Sequence, residues 1–529
     1  KVLNVRDLTF FGIAAIIGGG TFSAIGNACF SGGPGVVFLY IICAIACGFT
    51  AMCYAEFASR VPVSGSAYTY AYVSFGEIFA WIIGWALIME YSIGNIYIAF
   101  SWSGYFTNLL ESFHIHLPEW LTINYKSAHA AAIANTAGEG LTAWKNAPML
   151  GNLKVIFDLP AVLINVLITY LVYRGTKESR NFSNAMVVVK LLIIVLVIIV
   201  GFFYIDIENW TPFMPNGFKG VMGGVSAVFF AYIGFDAVST LAEESKNPQR
   251  DLPRGMIYSL VICTVIYIIL ALVLTGMVSY KSLGVSDPLA EIFALKGVKW
   301  MLFIVSIAAV VAMTSVMLVF QLGQPRIWMT MSRDGLMPKR FSAIHPKFKT
   351  PGFATIVTGF VVGLPIFFTD ENFVLDFTSI GTLFAFVLVC GGVLLLSPQS
   401  KEEIAEGITK GKFRIPYINS KFIFPILVIA SAIFVQYMFP TFFKDTFDLN
   451  GTAFANNISM IVFFILCIVM AVLAFAKNLS LIPLLGLISC CYLLTGMAVS
   501  NWKWFGVWLL IGLVFYFMYG YKNSKLNTK

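Results

Sequence analysis

The chain has 529 residues, of which 59% are hydrophobic and 11% charged, and its formal net charge is +8. Soluble globular domains carry about 25% charged residues, so most of this surface has lipid as its solvent. That excludes an ordinary soluble enzyme or a nucleic-acid-binding module, and the surplus of positive charge is explained by where Lys and Arg fall among the loops.

Apolar runs of roughly 20 residues recur along the whole chain, each long enough at about 1.5 Å per residue to cross a hydrocarbon layer of about 30 Å. They are continuous and do not alternate, so they read as helices and not as barrel strands. The predicted spans are 8–31, 34–59, 76–108, 157–174, 182–204, 219–243, 253–278, 297–331, 353–369, 372–396, 423–443, 457–476, 479–500 and 503–521. An even number puts both termini on one side. Counted with residues near the span ends, the loops of that side hold 24 Lys and Arg, the opposite loops hold 9, and Lys190 alone lies deep within a span. The positive-inside rule then places both termini in the cytoplasm of a multi-pass cell-membrane protein surrounded by membrane lipids. The chain opens on Lys1, and Phe10 to Ile25 lacks the small-residue cleavage pattern of a signal peptide, so the start is read as trimmed with the first span retained.

The longest connection, Glu111 to Ile156, contains His114, His116 and His129 but no carboxylate or cysteine at ligand spacing, so it reads as a polar surface loop without metal. The basic stretch Arg333 to Lys349 reads as an ordinary inner loop, with acidic lipid headgroups as the alternative ligand. Lys401 to Lys421 mixes both signs and reads as a solvated loop. All nine cysteines fall in apolar segments, where they behave as small buried hydrophobes. No ATP-binding motif or other cofactor signature is present, and no cofactor is expected.

Two spans carry glycine in mid-course, where a helix in lipid should keep its backbone hydrogen bonds. In the first, Gly18, Gly19 and Gly20 can unwind and turn N–H groups toward a carboxylate. In the sixth, unwinding around Phe230, Ala231 and Ile233, just before Gly234 and Asp236, frees carbonyls for an ammonium group. A matched pair of interrupted spans points to inverted five-helix repeats, 8–204 and 219–396, with 423–521 as peripheral helices. Close helix packing is the competing explanation for the glycines, and it suffices for Gly84 and Gly94.

Ionisable residues inside spans are costly and mark function by default. Lys190, Glu90 and Asp236 stand out, although Lys190 is near enough to its span's start to snorkel. In the eighth span, Thr314 and Ser315 either bond their own helix or join free carbonyls near Gly18 in an oxygen-lined pocket for a sodium ion or the Lys190 ammonium.

At these residues the chain resembles the amino acid-polyamine-organocation transporters, above all their cationic amino acid transporter branch. The similarity rests on the run from Tyr54 to Tyr70, on Gly234 to Thr240, on Lys246 to Pro253, on Gly323 to Arg326 with Met331 to Pro338, and on Phe413 to Pro416. It implies an all-α fold of ten helices in a 5+5 inverted repeat, with broken first and sixth helices, plus four peripheral helices. It also implies an L-amino acid held by its carboxylate at Gly18, Gly19 and Gly20 and by its ammonium at Phe230, Ala231 and Ile233. Lys190 matches the lysine that replaces sodium in proton-coupled members, and Glu90 the branch's third-helix acid. Gly19 and Thr21 depart from the usual pattern of a hydroxyl between the flanking glycines and an isoleucine after them. The expected activity is proton-coupled symport of L-amino acids, cationic ones included, with exchange as the alternative. A membrane-embedded sensor or enzyme lacks both an output domain and a catalytic cluster here.

Overall fold

In the computed structural model, residues 3–60, 66–136, 138–151, 153–175, 180–241, 245–395, 413–447 and 451–525 are described, and they are helical almost throughout. Residues 61–65 of the Tyr54–Tyr70 run and residues 401–412 of the mixed-charge loop lie outside them. Seven helices among the described residues are long and apolar enough to cross a membrane, eight if the bent pair Gly217–Gly223 and Val225–Ser239 is one span, and five shorter apolar helices accompany them.

The predicted spans fall on α1a (Val5–Ile16) and α1b (a π-helical turn Gly20–Ala24 running into Ile25–Gly32), α2 (Val36–Arg60), α3 (Glu77–Ser112), α4 (Leu159–Arg174) and α5 (Arg180–Phe202). The chain continues through α6a (Val225–Phe230) and the 3-10 segment α6b (Phe235–Leu241), α7 (Pro248–Met277), α8 (Lys299–Arg333), α9 (Gly352–Ile366) and α10 (Glu371–Leu395). The last four are α11 (Ile423–Met438), α12 (Gly451–Lys477), α13 (Leu481–Leu494) and α14 (Val499–Phe515). The outer surface departs from that of a water-soluble bundle. Leu163, Val166 and Leu167 of α4, Val261 and Val265 of α7, and Ile429 and Ile433 of α11 face outward, while Glu90, Asn95, Asp236, Gln321 and Gln324 are buried. Apolar side chains outside and polar ones inside fit a molecule whose solvent is hydrocarbon.

The two longest helices, α3 with 36 residues and α8 with 35, pack against each other through the centre. Lipid gives no hydrophobic drive for that contact, so small residues and polar cross-links carry it. Asn95 Nδ2 donates to Gln321 Oε1 at 2.9 Å, Gln324 Nε2 to Ser92 Oγ at 2.6 Å, and Gln321 Nε2 to Thr169 Oγ1 of α4 at 2.6 Å. Gly84 and Gly94 serve close packing, since a Cβ on either would press on Met331 or Phe320 of α8. The final helix is fastened to α3 by aromatic stacking: Trp85 lies 4.7 Å from Trp508, and Trp81 5.9 Å from Phe515. Indole N–H groups of Trp81 and Trp85 donate to the carbonyls of Gly512 and Trp508, both at 2.9 Å.

The connection after α3 differs from the polar loop expected of it. It folds into helices Tyr125–Ala134 and Glu139–Asn146 and a two-residue hairpin, Met149–Leu150 with Leu153–Lys154. Ala128, Ala143, Ala147 and Ile156 form a small core of its own beneath Trp120, Tyr125 and Trp144. Ala-rich helix formers and a handful of aromatics suffice for this, where composition alone suggested only solvation. His129 belongs to that packing, 5.0 Å from the Trp144 ring and 5.9 Å from Tyr125.

Candidate functional site

α1a is started by a capping box between Asn4 and Asp7 and ends at Ile16. Ile17 is extended (φ −79°, ψ 99°), and helical geometry resumes only at Gly19. The N–H groups of Thr21 and Phe22 both reach back to Gly18 O at 3.0 Å. Those of Gly19 and Gly20 open the second half-helix and so have no carbonyl one turn back within it, which makes them a ready site for an anion. In the sixth span the helix stops at Phe230, turns through Ala231 to Gly234, where φ is +115°, and restarts at Phe235.

The two breaks cross at their glycines. A Cβ on Gly20 would lie 2.4 Å from Ala231 Cα, and one on Gly234 would lie 2.9 Å from the backbone of Ala15. Tyr267 of α7 braces the crossing: its hydroxyl donates to Ala231 O at 2.7 Å, lies 3.3 Å from Ile16 O, and accepts from Thr21 Oγ1 at 3.1 Å. Thr21 therefore ties the first break to the sixth through Tyr267.

Beside the crossing lies a narrow cavity lined by Ala15, Ile16, Gly19, Gly20, Ile98, Phe230, Ile233, Val316 and Phe320. Every lining side chain is apolar, so polar recognition is left to the backbone of the two breaks.

Gly19, Gly20, Phe230 and Ile233 meet in this cavity, and Gly19 faces it most directly, since a Cβ there would lie 3.1 Å from Ile98 and 3.5 Å from Phe230. Gly18 is turned instead onto Val316. Ala231 lies beneath Gly20 with its carbonyl engaged by Tyr267. Glu90 and Asp236 do not line the cavity. Both are fully buried and within each other's electrostatic reach beside Tyr54 and Tyr91, with the Thr382 hydroxyl near Glu90 and the Ala237 N–H near Asp236.

Lys190 is 1% exposed, on a helix that packs against the first, seventh and eighth spans, so it does not snorkel to the interface. Thr314 donates to Val310 O at 2.7 Å and accepts from Trp102 Nε1 of α3 at 2.9 Å, so helix 3 engages that hydroxyl; Ser315 beside it is half-buried. Sequence reasoning missed Ala15, Ile16, Ile98, Val316, Phe320 and Tyr267. The available signal was the i, i+4 pair Val316 and Phe320, which shares one face of α8 next to Ser315.

The family model described as amino acid permease matches residues 3–456, and that described as C-terminus of AA_permease matches 479–524. A branched-chain amino acid permease of Bacillus subtilis (strain 168) is 37% identical over 528 residues, covering 100% of this chain and 94% of that protein. A methylthioribose transporter of the same organism is 40% identical over 443 residues, 83% of this chain and 88% of that one. Cationic amino acid transporter 9, chloroplastic, of Arabidopsis thaliana is 38% identical over 405 residues, 76% of this chain and 67% of that one.

Proposed function

We propose, since this chain belongs to the amino acid permease family, that it is a secondary transporter carrying small L-amino acids with apolar side chains across the cell membrane in symport with protons. A permease, it is a transporter and not an enzyme. The observation that carries the substrate class is the cavity lining. A carboxylate fits the N–H groups of Gly19 and Gly20 at the start of α1b, and an ammonium group fits the carbonyls around Phe230 and Ile233 at the sixth-span break. The side chain then falls among Ile98, Val316 and Phe320, where a cationic head would be buried without a partner. The branched-chain relative favours the same choice, and the cationic transporters among the relatives mark the alternative that the cavity disfavours. Glu90 and Asp236 are accordingly assigned to the buried frame around the site and not to the substrate's side chain.

The transport cycle proposed is alternating access by two inverted repeats, 8–204 and 219–396, with 423–521 peripheral and both termini cytoplasmic. The test is uptake of labelled leucine into proteoliposomes, competed with each common L-amino acid, with and without an inward proton gradient. Competition by valine, isoleucine and alanine but not by lysine or arginine, together with acceleration by the gradient, is the expected result. Equal competition by lysine overturns the apolar side-chain assignment. Indifference to the gradient combined with stimulation by internal leucine makes the protein an exchanger.

A further inference from the structure

One helical turn beyond the cavity, toward the face that carries the 113–158 connection, the chain gathers a polar layer that the substrate site does not use. Ser23 stands three residues after Gly20 on α1b, and Ser101 three residues after Ile98 on α3. Both hydroxyls converge on one oxygen of a third helix: Ser23 Oγ donates to Glu371 Oε1 at 3.1 Å, and Ser101 Oγ lies 3.3 Å from the same atom while also reaching Tyr97 O at 3.1 Å. The Ser23 and Tyr97 hydroxyls are 3.1 Å apart, and the Tyr97 ring packs edge-on against Phe230 of the cavity wall with centroids 4.6 Å apart. Beside them Tyr105 donates to Phe22 O at 2.5 Å, a second link from α3 to α1b on the same level.

Glu371 is itself held in place. It sits in the first turn of α10, where a negative charge is favoured by the helix dipole. The residue before it, Asp370, accepts from Phe373 N at 2.9 Å and pairs with Lys126 of the folded connection, whose ammonium also stands 5.3 Å from the centre of the Phe373 ring. The end of α10 is thus anchored to the small domain above it while its glutamate reaches down to α1b and α3.

We propose that Glu371 is a positioning residue of the transport cycle, its carboxylate being the clasp that draws α1b onto α3 and α10 and closes the cavity from the face bearing the 113–158 connection. This rests on the reading of the protein as an alternating-access transporter. A half-helix that must swing away to admit solute is held well by an acceptor tethered to a second element, because a carboxylate accepts more strongly than a neutral oxygen and the Ser101 hydroxyl of α3 keeps it aimed at Ser23. The aromatic contacts at Tyr97 and Tyr105 supply the seal, and Glu371 supplies the latch.

The experiment uses Ile98→Cys as a reporter in the cavity wall, with the native protein as the background for its own cysteines, and a membrane-impermeant thiol reagent applied in turn from each side of reconstituted vesicles. Adding Glu371→Ala should raise labelling from the face of the 113–158 connection at least about tenfold and leave labelling from the other face unincreased. Glu371→Gln keeps an acceptor oxygen and should restore most of the protection. In uptake, without the reporter, Glu371→Ala should lower kcat more than it changes KM, which a merely structural defect does not select. The pair Ser23→Ala and Ser101→Ala removes both donors without touching α10, and should reproduce the labelling if Glu371→Ala does not yield folded protein. Native-rate labelling in the folded variants overturns the clasp. Because labelling needs no substrate, a wrong substrate assignment leaves this result intact, and a failed clasp leaves leucine competition intact.

Discussion

A Cβ at Gly20 would collide with the backbone of Ala231, whereas a Cβ at Gly19 would project into the cavity toward Ile98 and Phe230. Backbone atoms cannot give way as side-chain tips do, so Gly20→Ala must force the two helix breaks apart, and overpacking of that kind costs about 1–3 kcal/mol. Its expected signature is a lower melting temperature in detergent. Gly19→Ala should fold normally and weaken binding of leucine and isoleucine by at least about fivefold more than binding of alanine, because it removes room and not a bond. Loss of melting temperature in both, or in neither, contradicts this division. Tyr267→Phe leaves Ala231 O and Thr21 without the shared hydroxyl, and a buried unsatisfied group costs about 1–3 kcal/mol. Thermal melting should show that loss, with weaker substrate binding because the brace sets the spacing of the two breaks. The glycines were legible in the sequence because three in a row are anomalous in a lipid-embedded helix. Tyr267 and Ile98 were not, because an apolar or aromatic residue in an apolar helix looks alike whether it faces a cavity, another helix or lipid.

At the level of elements, hydropathy located the apolar helices but not the structure between them. The 113–158 connection has too few apolar residues to register as a domain, yet Ala128, Ala143, Ala147 and Ile156 are enough to fold two short helices over the end of the bundle. Its neighbour between α7 and α8 supplies a titratable test. Asp287 opens the short helix Pro288–Leu295, and Asn108 of α3 donates to its carboxylate. Burial, and then the negative charge of Glu291, push the Asp287 carboxyl up from 3.8 to about 6. An acid with a raised folded-state value binds its proton more tightly when folded, so the penalty for ionising it is absent below the unfolded value near 3.8 and complete above about 6. Native protein should therefore lose melting temperature relative to Asp287→Asn as pH rises through that window. A difference between the two proteins that stays constant with pH contradicts the assignment.

For the whole molecule, apolar helices and their order could be read from single-residue hydropathy, because it is a local property of the chain. The pairings that make the site are not local. Gly20 meets Ala231 and Ser23 meets Glu371 across hundreds of residues, and nothing in either segment announces its partner. Lys190 is the exception, because an ion in lipid must be explained wherever it lies. Its neighbours Val188 and Val189 face outward while Lys190 is buried, so the helix turns this lysine toward the interior and its apolar side toward lipid. Thr314 is held by α3, so the contacts that Lys190 exchanges during the cycle are proposed to be with the carbonyls of the first-span break more than with that hydroxyl. On that proposal, a protonated amine bound there in one state and released in the other would couple proton movement to the swing of α1. Lys190→Met matches the site's apolar surroundings in length and removes the ion, so the variant should fold and bind leucine within about threefold of native affinity. Its uptake should no longer accelerate under an inward proton gradient, while exchange of internal for external leucine persists. Full gradient-driven accumulation by this variant would place the proton elsewhere, and the buried Glu90 and Asp236 would be the next groups to test.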